Sequence, residues 1–190
     1  FKNNLKNSKK LNCLIELQFH NFFLIVIYLF FAQHMSKKYN IIFFYYSRKD
    51  KILNLNLFKL LFYNIFKIIK KNFNSNIINF YEKPNSHSTE IALKIFKRLK
   101  KKNDVNKISY KGIIIGKYIY QSYCRELLEK TIDINDKRLL KFISEAITVV
   151  DTVKKFSEEK KIKKLFISHT IFIRYGIMSK IINNQNGGVY

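Results

Sequence analysis

The segment Ile162–Tyr190 constrains the fold more than any other stretch of this chain. It reads IKKLFISH, then TIFIRYGIMSKIINN, then QNGG, then VY. In physical terms this is a short apolar strand, a polar turn, an amphipathic helical repeat, a glycine turn and the opening of another strand. A strand, a helix and a strand in that order form a βαβ unit, which implies a parallel sheet. Ser168, His169 and Thr170 follow the first of these strands, at the carboxyl edge where open α/β sheets take their ligands.

The same alternation recurs upstream. Leu11–Gln18 reads as a first strand, and Asn21–Lys38 follows it with an apolar run from Phe22 to Ala32. That run spans 11 residues before Gln33 and His34, short of the ~20 a spanning helix needs. Three assignments remain open for it: a buried first helix, an uncleaved signal or anchor, and a peripheral membrane face. Asn40–Tyr46 is a second strand and Ser47–Asp50 a polar turn. Ile52–Lys71 alternates Leu, Ile, Phe and Lys at helical spacing. Asn76–Tyr81 is a third strand, Ser88 or Thr89 caps a helix running to Lys102, and the charged stretch Lys100–Lys107 is a loop. After Gly112 and Gly116, one helical repeat carries Tyr120, Tyr123, Leu127 and Leu128, and Asp133–Asp136 caps a long helix from Lys137 to about Lys160. The expected fold is therefore α/β and Rossmann-like, a mostly parallel sheet with helices on both faces.

At 190 residues the chain suits one core. Residues 1–10 read as a basic, frayed leader and 11–190 as a single Rossmann-like domain. The start at Phe1 and the stop as a strand opens suggest truncation at both ends, with a second domain missing from the fragment. The formal charge is +23, yet Lys outnumbers Arg 31 to 5. Specific nucleic-acid recognition favours the rigid guanidinium fork, so this balance argues against it. Ile, Lys, Asn, Phe and Tyr, all with A/T-rich codons, supply 110 of the 190 residues, which offers a compositional source for a lysine-coated surface. Cys13 and Cys124 fit no metal or redox spacing and read as reduced thiols of a cytoplasmic protein.

Few motifs carry chemistry. Gly112–Lys117 (GIIIGK) has three residues between its glycines and Tyr118 after its lysine, so it is not a phosphate loop. His20, His34, His87 and His169 lack ligand spacing, and no metal site is expected. His169 is the strongest candidate, because the Ser168-His169-Thr170 trio opens a helix whose free amides suit an anion. Against this, Ser168 or Thr170 can serve simply as a cap. Arg174 reaches toward the same mouth or lies exposed on the helix, and His20 follows the first strand at the same expected edge. Tyr120, Ser122 and Arg125 share a helix after Gly116, as a stacking and phosphate-binding set or as core and surface residues.

The segment IGKYIYQSYCRELLEKTIDINDK, followed by ISHTIFIRYGIMSKIINNQNGGVY, resembles bacterial surface-polysaccharide (capsule or lipopolysaccharide) glycosyltransferases of GT-B type. The resemblance covers the second half of the chain. Lys117 and Gln121 stand where that family's pattern often has acids. It implies an amino-terminal, acceptor-side domain, inactive alone, with no cofactor in the fragment and a nucleotide-sugar donor for the full-length protein. His169, Thr170, Ser168, Arg174, Tyr120, Arg125, Gly116 and His20 would be its substrate contacts, with no catalytic residue assigned. The partner would be a glycan or lipid-linked acceptor, with the enzyme cytoplasmic and peripheral to the inner membrane through the basic helix Ile52–Lys71. The alternative is a non-catalytic basic α/β module that binds an anionic membrane surface or nucleic acid.

Overall fold

The structure, a computed structural model, describes residues 10–18, 21–46, 56–75 and 77–190, without the side chains of Phe22 and of residues 56–62. His20, the leader, and the turn expected at Ser47–Asp50 lie outside the described residues.

Among the described residues, five strands form one parallel sheet: β1 (Asn12–Glu16), β2 (Asn40–Tyr45), β3 (Ile77–Asn79), β6 (Ile162–Phe166) and β7 (Gly188–Val189), in the order β3-β2-β1-β6-β7. Helices flank it, and the fold is α/β and Rossmann-like. Strand alternation divides the core in two. Cys13, Ile15, Ile41 and Phe43 face one side, beneath α1 (Phe22–Met35) and α2 (Asn56–Phe73). Leu14, Phe44, Ile162 and Leu165 face the other. There they meet α3 (Ser86–Phe96), α4 (Lys102–Asn106), α5 (Gly116–Leu127), α6 (Arg138–Lys160) and α7 (Ile177–Asn184).

The middle of this second layer is α6, buried from Phe142 through Val150. Its apolar residues Leu139, Phe142, Ile143, Ala146, Ile147, Val150 and Val153 recur at three- and four-residue spacing. The polar residues among them are bonded: Thr148 Oγ1 donates to the Ser144 carbonyl at 3.0 Å, and Thr89 and Ser144 hydroxyls lie 3.3 Å apart.

Three local expectations change. The cap of α3 is Asn85, whose side chain accepts from Ser88 N–H while Ser88 returns a bond to Asn85 N–H, and the helix ends at Phe96. The expected loop after Lys100 contains α4, started by Asp104 accepting from the Lys100 and Lys101 amides at 3.0 and 2.9 Å. Around Gly112, β4 (Ser109–Tyr110) and β5 (Ile113–Ile114) pair as an antiparallel hairpin, with Lys111 and Gly112 both at positive φ in the turn.

Candidate functional site at the carboxyl edge of the sheet

The chain leaves β1 toward β2 on one side, whereas β6 and β7 build the sheet on the other. The β1–β6 boundary is thus a topological switch point, where the loops part and leave a crevice. Glu16, the last residue of β1, is only 1% exposed. Its carboxylate accepts from Ser168 N–H at 2.8 Å and bonds the Tyr175 side chain. Burial and Glu16 push the Tyr175 hydroxyl well above its ordinary range, and burial together with Tyr175 does the same to Tyr46. Both tyrosines therefore stay protonated donors, Tyr175 to the Glu16 carboxylate and Tyr46 to the Arg174 carbonyl at 3.4 Å.

Ser168 is the link to the surface. Its hydroxyl accepts from the Gln18 amide and lies 2.8 Å from His169 Nδ1. The His169 ring leans on Tyr175, with centroids 4.3 Å apart. Desolvation pulls the His169 pKa down, Glu16 opposes the shift and Arg125 adds to it. The shift favours the neutral imidazole, and with Nδ1 against the Ser168 hydroxyl, Nε2 is the nitrogen left for a ligand.

After His169 the backbone departs from an ordinary helix. Phe172–Gly176 is a π-helical turn leading into α7, and Phe172 sits at φ +62°, a conformation a bulky residue adopts only when its surroundings impose it. Ile173 N–H donates to Ser122 Oγ at 3.0 Å and Phe172 N–H to Gln121 Oε1 at 3.5 Å. These two amides, expected to be open to an anion, are thus occupied by α5. Gly176 is needed for space, because an added Cβ would lie 2.2 Å from the Tyr118 ring.

The wider turn brings Arg174 and Tyr175 together at the crevice. Arg174 Nε donates to Glu145 Oε1 at 3.0 Å, and its guanidinium also stands over the Tyr46 and Tyr81 rings. Arg125 lies 4.6 Å over the Phe172 ring and makes no ion pair with an acid among the described residues. Ser122, Arg125, Glu145, His169, Arg174 and Tyr175 line an open cleft of about 250 Å³.

The cleft unites His169, Arg174 and Arg125, with Ser168 bonded at its edge. Thr170 is exposed and outside its lining. Tyr120 turns away, its hydroxyl donating to Thr131 Oγ1 at 3.1 Å. Gly116 is at the opposite end of α5 from Arg125, about 13 Å along the axis, and it packs on α4, where an added Cβ would be 1.9 Å from the Val105 carbonyl. Gly116, a substrate contact by the resemblance, is therefore away from His169, because α5 presents its carboxyl end to the crevice. Glu16, Glu145, Tyr46 and Tyr175 were absent from the sequence candidates. A lone acid inside each of the apolar runs LIEL and SEAITVV was the available signal for the first two. Among the described residues no group of His, Cys, Asp and Glu is gathered to hold a metal.

No protein-family model matches the chain, and no curated protein matches it. A solved structure of a CDPS (a cyclodipeptide synthase) from Fluoribacter dumoffii matches with a TM-score of 0.43 and 12% identity, over 93% of this chain and 86% of the other. The resemblance to surface-polysaccharide glycosyltransferases is corrected by this result. No family model or curated protein supports a glycosyltransferase, nor does this structure, and the GT-B assignment, the acceptor-side role and the capsule or lipopolysaccharide context do not stand. The alternative of a non-catalytic basic module gains no support either. At this identity and TM-score the likeness to the CDPS says nothing about chemistry in the present chain.

Proposed function

We propose that this chain is the ligand-binding domain of an enzyme acting on a small molecule that bears a phosphate or carboxylate. The observation that carries this reading is Arg125, held over the Phe172 ring in the switch-point cleft that His169 also lines. A guanidinium stacked on a ring and in no ion pair among the described residues, Glu126 beside it lying 4.0 Å from Lys141 instead, is preorganised for a two-pronged bond to an anion. Arg174, neutralised by Glu145, instead shapes the wall. His169 would take or give a proton at the bound molecule through Nε2, its Nδ1 being engaged by Ser168. A cytoplasmic location belongs to this reading. Both cysteines are free thiols, and burial pushes Cys13 up to about 12, which keeps it unreactive.

Titration with inorganic phosphate and pyrophosphate, followed by calorimetry at fixed ionic strength, tests the proposal. Arg125→Ala should weaken pyrophosphate binding about tenfold or more. Lys97→Ala, which removes an equal charge from an exposed position on α3's carboxyl end, should leave it within about twofold. Equal losses from the two variants would reduce the binding to general attraction by a +23 chain and overturn the proposal.

A further inference from the structure

The two layers around the sheet differ in charge in a way the cleft does not use. Residues 1–81 contain thirteen Lys or Arg and two acids, Glu16 and Asp50, against twenty-three and eleven in residues 82–190. Glu16 is buried, so the outer surface of the α1–α2 layer presents no carboxylate among the described residues. It presents aromatic rings instead. Phe23, Phe30 and Tyr63 are 72%, 70% and 64% exposed, with Phe31 and Ile68 beside them in the same layer. Ile27, Phe30, Phe31 and His34 frame an apolar groove of about 330 Å³.

Exposed lysines stand on the same layer. Lys37 and Lys38 are exposed just beyond α1, and Lys10 Nζ reaches the Ser36 carbonyl at 3.3 Å. Lys67, Lys70 and Lys71 are exposed on α2. Helix α1 has no Lys, Arg, Asp or Glu from Phe22 to Met35, and from Phe23 to Ala32 its sequence is apolar on every side before exposed Gln33 and His34, although only part of it packs on the sheet. A helix apolar all round matches a protein core or a lipid environment rather than water. No helix among the described residues is long and apolar enough to cross a membrane.

We propose that the outer face of α1 and α2 docks on an anionic lipid surface. Phe23, Phe30 and Phe31 enter the headgroup region, and the flanking lysines meet the lipid phosphates and carboxylates. The proposal concerns a contact face and stands apart from the anion-binding cleft, so failure of one leaves the other intact. Charge complementarity selects the occupant. Six lysines bordering exposed rings, with no acid between them among the described residues, would repel a second copy of the same face.

The chain contains no Trp, so Phe30→Trp makes a sole reporter in this chain. Its emission should shift to the blue when vesicles with phosphatidylglycerol are added, and much less with pure phosphatidylcholine. Leu128→Trp, at a 91% exposed position on the opposite layer, should not shift. In co-sedimentation, Phe23→Ser and Phe30→Ser should each weaken vesicle binding about tenfold. Lys37→Gln and Lys38→Gln should each weaken it about fivefold at low salt. Unshifted emission from the Phe30→Trp variant overturns the proposal. So does a blue shift that grows with protein concentration in the absence of lipid, which would assign the face to a second copy.

Discussion

The layers on the two sides of the sheet are built by different means. Every ion pair among the described residues joins side chains of the α3–α7 side, from Lys94–Glu90 to Arg174–Glu145. The α1–α2 side holds to the sheet by apolar contact, with Ile25, Tyr28, Ala32, Ile65 and Ile69 packed on Cys13, Ile15 and Phe43. Apolar contact is strong but poorly directional, whereas hydrogen-bonded charges fix orientation. The cleft needs side chains held at fixed angles, and its Arg174–Glu145 pair and Ser122–Ile173 bond come from the polar layer. The apolar layer contributes burial to the fold and leaves rings exposed outside.

If burial is equal on the two sides, so should be the penalty for losing it. Phe43 and Phe44 are neighbours on β2, both fully buried, and face opposite layers. Phe43→Ala and Phe44→Ala should each cost about 3–5 kcal/mol in urea unfolding. A much smaller loss for Phe43→Ala would break the symmetry and mark the α1–α2 layer as loosely packed. Gly176→Ala drives a methyl into the Tyr118 ring and should cost about 1–3 kcal/mol, with pyrophosphate binding lost along with the displaced π turn.

Acid sharpens the contrast further. Tyr123 donates to Asp136 at 2.5 Å, and this bond, with Arg138 assisting, holds the Asp136 carboxyl below the usual carboxylate range. A lowered folded-state pKa contributes stability that is complete above the unfolded value of about 3.9 and is lost as pH falls through the folded one. Asp136→Asn should therefore flatten the decline of urea midpoints over that acid window, while the α1–α2 layer supplies no such carboxylate pair among the described residues. The smallest effect concerns His169. Its titration by NMR should have a midpoint below about 6.5, and Arg125→Ala should raise that midpoint without restoring it, since burial is the larger cause. Because the shift is downward, this imidazole costs stability as pH falls below its unfolded value and none above it.

The element order was legible because alternation and helical spacing are local. LNCLIELQ, NIIFFYY and IKKLF show short apolar runs, and Leu139 through Val153 shows one long helical stripe. The π turn was not legible. TIFIRYGIMSK keeps an unbroken helical rhythm, and what widens it is tertiary: the Tyr118 ring against Gly176 and Ser122 on the Ile173 amide. Gly116 was expected at the site only through the resemblance to glycosyltransferases. Here it permits the close approach of α4. Glu16 looked like an ordinary strand residue, and only the arrival of Ser168 and Tyr175 from 150 or more positions away shows what its carboxylate does.

That separation bears on how the chain is made. β1 pairs with β2 through Asn12↔Asn40, but its other edge waits for Ile15↔Phe166. At ribosomal speeds of about 5–20 residues per second, the interval between the two events is on the order of ten seconds. Throughout it the nascent central strand, fully apolar on one side, offers an unpaired edge to any neighbour. Translation speed between α2 and β6, and the supply of holdase chaperones during that interval, should govern the yield of folded chain.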